Sequence, residues 1–170
     1  MEVVEFGRLG DAQRAELEGD EEDPFDAAGN TLQWRSKDQH VALRGDHGRL
    51  VASAGLVLAE VEVGNAPPIP VVGIGGVLVS APYRGRGLGN RVIIEVLARA
   101  KATGRELALL FCHRNRAGLY KRHGFVEIPP PVLVEQPDGP VEIAMVSMWR
   151  PLREGWEPPA GQLVLRSFPF

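Results

Sequence analysis

Arg84, Gly85, Arg86, Gly87, Leu88 and Gly89 follow one another inside the stretch APYRGRGLGNR, directly after an apolar run and directly before a helical pattern. A segment so placed can hold an anion. The first amides of a helix have no acceptor within it and carry partial positive charge. Glycines remove the Cβ atoms that would keep a phosphate off the backbone, and the two arginines add mobile charge. The chemistry implied is a pyrophosphate cradle. A P-loop needs G-x-x-x-x-G-K-[ST], and the chain has no such string. A dinucleotide fingerprint needs G-x-G-x-x-G, but GRGLGN has Asn90 where the third glycine should stand and lacks a second βαβ half. A third pattern, [Q/R]-x-x-G-x-[G/A], is matched by Arg84, Gly87 and Gly89. The plain structural alternative is a glycine-rich turn before a helix.

A second region adds weight. In NRAGLYKRHGFVEI, Asn115, Tyr120, Gly124 and Phe125 stand at recognisable intervals, one helix and one strand after the glycine loop. Together the two motifs resemble the signatures of the GNAT-type, acetyl-CoA-dependent N-acetyltransferases. The resemblance runs over residues 71–128, and the order of elements agrees along the chain. It implies a GNAT fold of the α/β (α+β) class. That fold is a mixed, mostly antiparallel sheet of about seven strands with about four helices, splayed at the strand before the glycine loop.

The resemblance also implies roles. The backbone of Val77, Leu78 and Val79 would run beside the pantetheine arm of acetyl-CoA, the cosubstrate. The amides of Arg84, Gly85, Arg86, Gly87, Leu88 and Gly89 would hold the pyrophosphate, and Asn115 would lie near the arm. Tyr120 matches the general acid that protonates the departing CoA thiolate, and Val77 N–H is placed to stabilise the oxyanion. Gly75 and Gly76 suit a bulge or close backbone approach. Many family members carry a glutamate on this strand. Here the glycines replace it, so the base stays open between Glu60 or Glu62, the carboxylate of Phe170 and a chain of waters. The opposing reading is a catalytically degenerate module that binds acyl-CoA without transferring the acyl group. A nucleotide-binding regulator using the same loop is a weaker third reading.

The elements that must position these groups follow from pattern. EVVEF (residues 2–6) reads as a strand, and DAQRAELEG as a short helix with Asp11 as N-cap and Gly19 as stop. QHVALR and RLVASAGLVLAEVEV read as strands joined by GDHG, and VVGIGGVLV as a buried strand. Leu88, Val92, Val96 and Ala100 recur every four residues, with Ile93 and Leu97 beside them, predicting a helix from Gly87 or Leu88 to Thr103 that Gly104 ends. ELALLFC reads as a buried strand and RAGLYKRHG as a short helix capped by Gly124. FVEI starts a strand, VLVEQPDGPVEIAMVSMW reads as a hairpin around PDG, and QLVLRSF is a last strand. Neither repeats nor a boundary interrupt the pattern, so residues 1–170 are expected to form one domain, which the resemblance implies is an N-acetyltransferase.

The formal charge of -3 over 170 residues argues against a nucleic-acid partner. No apolar run is long enough to span a membrane, and MEVVEFGRLGD has no signal-type core. The expectation is a cytoplasmic protein with neither membrane nor nucleic-acid partner. Cys112 is the single cysteine, which excludes an internal disulfide, and it reads as a buried thiol. His40, His47, His113 and His123 lack metal spacing, so no metal is expected. The acceptor would be a small-molecule or peptide amine. The acidic run EGDEEDPFD would favour a cationic one by its local field, unless it is only a solvated loop. The layout weakly resembles the aminoglycoside 2'-N-acetyltransferase branch, in organisation more than in motif residues. Phe168 and Phe170 on the last strand leave a homodimer open.

Overall fold

The computed structural model describes residues 1–170. Its elements, in chain order, begin with β1 (Glu2–Phe6), α1 (Asp11–Glu18), β2 (Gln39–Arg44), β3 (Leu50–Val63) and β4 (Ile69–Val79). Next come α2 (Leu88–Ala102), β5 (Leu107–Cys112), α3 (Ala117–Lys121), β6 (Val126–Glu127) and β7 (Val132–Val134). The last three are β8 (Val141–Glu142), β9 (Val146–Pro151) and β10 (Leu163–Leu165). All strands join one ten-stranded sheet with the main order β6-β9-β5-β4-β3-β10-β7-β8, and β1 and β2 extend it beside β3. Two pairings are parallel, β4 with β5 and β10 with β7; the others are antiparallel.

The fold is therefore the mixed, mostly antiparallel sheet expected, with differences in count. There are three α-helices, with 3-10 turns at Ala81–Tyr83 and Arg114–Arg116. The strand number rises because the Pro-rich C-terminal third pairs in pieces of two or three residues, β6, β7, β8 and β10. The hairpin around PDG closes only between β7 and β8, with Leu133 opposite Glu142. β9 leaves it and inserts between β5 and β6, because Met148 and Val146 belong to the core under α2. At α1 the N-cap is Gly10 rather than Asp11, and Gln13 Oε1 accepts its N–H at 2.6 Å.

The helix α2 forms because its apolar face has somewhere to go. Leu88, Val92, Ile93, Val96, Leu97 and Ala100 are all buried against the sheet. Burial of each large side chain is worth about 1.5–3 kcal/mol. That outweighs the few tenths of a kcal/mol that a β-branched residue costs a helix. Strand alternation then separates two cores. Val72, Ile74, Ala108 and Leu110 face α2, whereas Val71, Leu107, Leu109 and Phe111 face the opposite layer with Phe170. β5 is buried at every position because both its faces are covered.

Two irregularities in this regular frame make the site. β4 pairs with β5 from Val71 opposite Leu107 to Ile74 opposite Leu110, and there the pairing stops. On its other edge β4 stays paired to β3 as far as Val79, but the register steps from Gly55–Gly75 to Ser53–Leu78. That step is a β-bulge at Gly76–Val77. Gly76 takes φ 60°, which a side chain would resist. The strands β4 and β5 thus part company at the bulge, as expected of the strand before the loop.

Candidate active site

A cleft of about 550 Å³ opens where β4 and β5 diverge. One wall is β4 from Ile74 to Val79; the other is the end of β5, Phe111 and Cys112, followed by His113. The glycine loop closes its head, and Tyr120 and Leu119 of α3 form its flank. Of the residues singled out from sequence, Val77, Leu78, Val79, Arg84, Gly85, Gly87, Leu88, Gly89 and Tyr120 line this one cleft. Arg86 and Asn115 do not. Arg86 turns away to lie over the Tyr83 ring, 5.2 Å from its centre, and donates to Pro82 O. Asn115 sits in the exposed turn Arg114–Arg116.

The loop has the character of an anion cradle. The N-cap of α2 is Gly87, with φ 76° and no side-chain cap bond. None of the amides from Gly85 to Asn90 donates to a protein acceptor; the first that does is Arg91 N–H, to Gly87 O. A Cβ at Gly85 or Gly87 would meet nothing within 4 Å. The glycines are needed for their positive φ, 74° and 76°, and for leaving that face of the loop open. Six free amides at the start of a fifteen-residue helix fit a pyrophosphate well. The Arg84 side chain is already committed: Nε donates to Val79 O at 3.0 Å and the guanidinium pairs with Glu21 at 2.5 Å.

Tyr120 is nearly buried, with its ring edge-on to Phe125. Its hydroxyl makes no hydrogen bond within the protein, and it is not sealed off, so it faces the cleft. Burial, then the Cys112 thiol beside it, pushes its pKa well above the usual phenol value. Its proton is therefore retained through the neutral range. Burial likewise pushes the Cys112 thiol up to about 11, so it stays protonated, with Sγ 3.8 Å from the Met148 sulfur. The buried thiol expected from sequence is what the fold contains.

These features are those of a known family. The acetyltransferase (GNAT) domain profile matches residues 19–128. The chain belongs to the GNAT acetyltransferase family. Solved structures agree at the level of the fold. An acetyltransferase of the GNAT family from Staphylococcus aureus MU50 superposes with TM-score 0.55 and 14% identity, over 89% of this chain and all of that one. An N-acetylglutamate synthase from Neisseria gonorrhoeae, complexed with coenzyme A and N-acetyl-glutamate, gives TM-score 0.57 and 16% identity, over 91% of this GNAT chain but 36% of its own. A bacterial toxin gives TM-score 0.55 and 20% identity over 67% of each chain. No curated protein matches the sequence.

Within this GNAT domain two of the base candidates read from sequence, Glu60 and Glu62, lie elsewhere, whereas the carboxyl group of Phe170 reaches the bulge, 2.7 Å from where a Cβ on Gly75 would stand. Glu62 pairs with Arg166 at 2.5 Å, and neither it nor Glu60 lines the cleft. They share a strand face, but β10 lies beside it. Phe170 does reach the cleft, and its ring packs at 5.4 Å from Phe111. Asp26 is the single acidic side chain in the lining, with φ 52° and 4.0 Å from Arg116. The acidic run EGDEEDPFD contributes Phe25 and Asp26 to the lining, and Asn30, Trp34 and Met145 join them there. Sequence reasoning missed Lys37, whose stem crosses β3 and β4 at the bulge. No local signal marks it, since an isolated lysine before a strand looks like any surface residue. No helix is long and apolar enough to cross a membrane.

Proposed function

We propose that this chain transfers an acetyl group from acetyl-CoA to the primary amine of a small-molecule or peptide acceptor by direct attack. The observation that carries the reading is the joining of two features in one cleft. Six partnerless amides stand at its head, and the Tyr120 hydroxyl opens onto the β4–β5 gap below. In this reading the amides of the glycine loop bind the pyrophosphate, and the backbone of Val77, Leu78 and Val79 aligns the pantetheine. The thioester carbon then lies at the bulge.

The acceptor must arrive as a free amine, having given up a proton. Its nitrogen attacks the thioester carbonyl, and Val77 N–H takes the charge that develops on oxygen. The C–S bond breaks, the sulfur takes the hydrogen of Tyr120, and the proton shed by the acylated nitrogen passes through solvent to restore the phenol. The raised pKa of Tyr120 supports a donor that is never lost to ionisation in the working range. The neighbouring N-acetylglutamate synthase structure, which holds coenzyme A, supports acyl-CoA use on this fold.

The test is release of CoA thiol from acetyl-CoA across a panel of amines, with acetyl-CoA binding measured in parallel by calorimetry. Acetyl-CoA-dependent release with one acceptor class is the expected result. Binding without release from any amine favours the second reading, an acyl-CoA-binding module. Gly75 and Gly76 standing where many relatives have a glutamate support that alternative.

A further inference from the structure

Lys37 lies in a slot made for it. A Cβ at Gly55 would overlap the Lys37 stem, and one at Gly75 would come within 3.1 Å of Lys37 Cε. A Cβ at Gly76 would sit 3.4 Å from Cε and 3.8 Å from Nζ. Gly55 thus clears the path of the side chain, while Gly75, which makes room first for the carboxyl end of Phe170, and Gly76 flank its tip and bring its ammonium group to the bulge. Once there, Nζ forms neither an ion pair nor a hydrogen bond within the protein, although the carboxyl group of Phe170 lies against the same Gly75. It is not sealed either, so it opens into the adjoining space.

That space is a second cavity of about 280 Å³ beneath α1. Phe25, Lys37, Gly76 and Leu78 line both it and the main cleft, so the two meet at the bulge. Its charged lining is lopsided: Arg8, Arg14 and Lys37 against Glu18 alone, with His40 beside them. Neither arginine is in an ion pair, and Arg14 donates only to Leu9 O at 3.2 Å. His40 is held to Gly7 O at 2.9 Å. Burial lowers its pKa, and the charges of Lys37 and Arg14 lower it further. Burial also lowers that of Lys37. Arg8, Arg14 and Lys37 outnumber the one carboxylate of the cavity, Glu18, and cations so gathered repel one another and lose hydration. An anionic group entering the cavity relieves both.

Of the acidic run, Glu18 reaches the cavity, while two other members are engaged elsewhere. Asp23 accepts the amides of Ala27 and Ala28 at 2.8 and 2.9 Å, and Glu21 is bound to Arg84.

We propose that this cavity is an anion subsite for the acceptor: the amine that is acetylated carries a carboxylate or phosphate group, which docks against Lys37 and Arg14 while the amine is presented at the Gly76–Val77 bulge. This inference rests on the acetyl-transfer reading and names the acceptor's chemistry. Specificity then comes from charge pairing beside the reacting centre. A neutral or purely cationic amine leaves the cations of the cavity unmatched.

The experiment compares acceptors matched in their amine and differing in their anion: amino acids against their amides, and phosphoethanolamine against ethanolamine. We expect the anionic member of a pair to have kcat/KM roughly tenfold higher, the order expected for a charge-assisted bond. Which pair shows it separates carboxylate from phosphate. Lys37→Met and, separately, Arg14→Met are expected to collapse that ratio toward unity, mainly through KM. Acetyl-CoA affinity by calorimetry verifies that each variant is folded. Equal or better use of the neutral members overturns the proposal, as does a preference that survives both substitutions. If acetyl-CoA binds but no amine is acetylated, the transfer reading is what fails. The anionic amines are then titrated by calorimetry, and heat lost in Lys37→Met retains a binding site where no heat at all removes it.

Discussion

The ring of Phe170 fills the space that a Cβ on Gly73 would occupy. Gly73 lies on β4 just before the bulge, and Phe170 also packs against Phe111 of β5. One aromatic ring therefore braces both strands where they begin to separate. Gly73→Ala is expected to cost about 1–3 kcal/mol through overpacking. Urea melts check this, and Phe170→Leu in the same chain should return part of the loss. Full additivity of the two changes would show that the ring and the glycine do not share this contact.

The cradle prediction concerns charge at the glycine loop. Gly87→Asp and Gly89→Asp each place a carboxylate among the free amides that would meet the pyrophosphate. Acetyl-CoA binding, followed by calorimetry, is expected to vanish while the far-UV dichroism is retained. Gly89 is the cleaner site, since its Cβ would lie at an ordinary 3.8 Å from Val79 and its φ is not positive. Retained affinity in Gly89→Asp would place the cofactor elsewhere.

Tyr120→Phe removes one oxygen from a buried ring and should leave packing against Phe125 intact. A general acid is worth about 10²–10⁴-fold. We expect kcat to fall by roughly 10²-fold or more, with acetyl-CoA affinity unchanged. The pH profile adds a second check. Burial raises the folded pKa of Tyr120, so the protonated form persists to higher pH than for a free phenol. The wild-type rate should show no alkaline loss assignable to this tyrosine up to pH 10, the ordinary phenol value.

Cys112 gives a simple control. A thiol pushed up to about 11 and nearly buried carries very little thiolate at pH 8. Native protein should react with a thiol reagent far more slowly than the same protein in denaturant. Fast labelling of native protein would mean that the end of β5 opens.

Glu127 on β6 predicts an acid limb of stability. Lys121 and Arg114 each pair with it at 2.8 Å and, Lys121 first, hold its carboxyl below the usual value of 4.5. The folded pKa lies below the unfolded one. Its contribution is thus present above pH 4.5 and is lost as pH falls through the folded value. Glu127→Gln should flatten the decline of the urea midpoint below pH 4.5, by a small amount because the group is solvated.

Much of this molecule was determined by sequence alone, where local chemistry suffices. The four-residue recurrence from Leu88 to Ala100 specifies α2, and the apolar runs specify β4 and β5, because burial enforces their periods. Arg84, Gly87, Gly89 and Tyr120 announced a cradle and a hydroxyl at intervals that one helix and one strand then bring into one cleft. Tertiary structure decided the rest. Which partner takes β9 depends on a core formed by residues far away in the chain, and no local pattern at PDG carries that information. Glu60 and Glu62 share a face in any strand, but only the placing of β10 and Arg166 beside them puts that face away from the cleft. Lys37 gains its position from Gly55, 18 residues further on, which clears its path, and from Gly75 and Gly76, which flank its tip on the next strand. A sequence lists such residues one by one; the sheet register alone makes them neighbours.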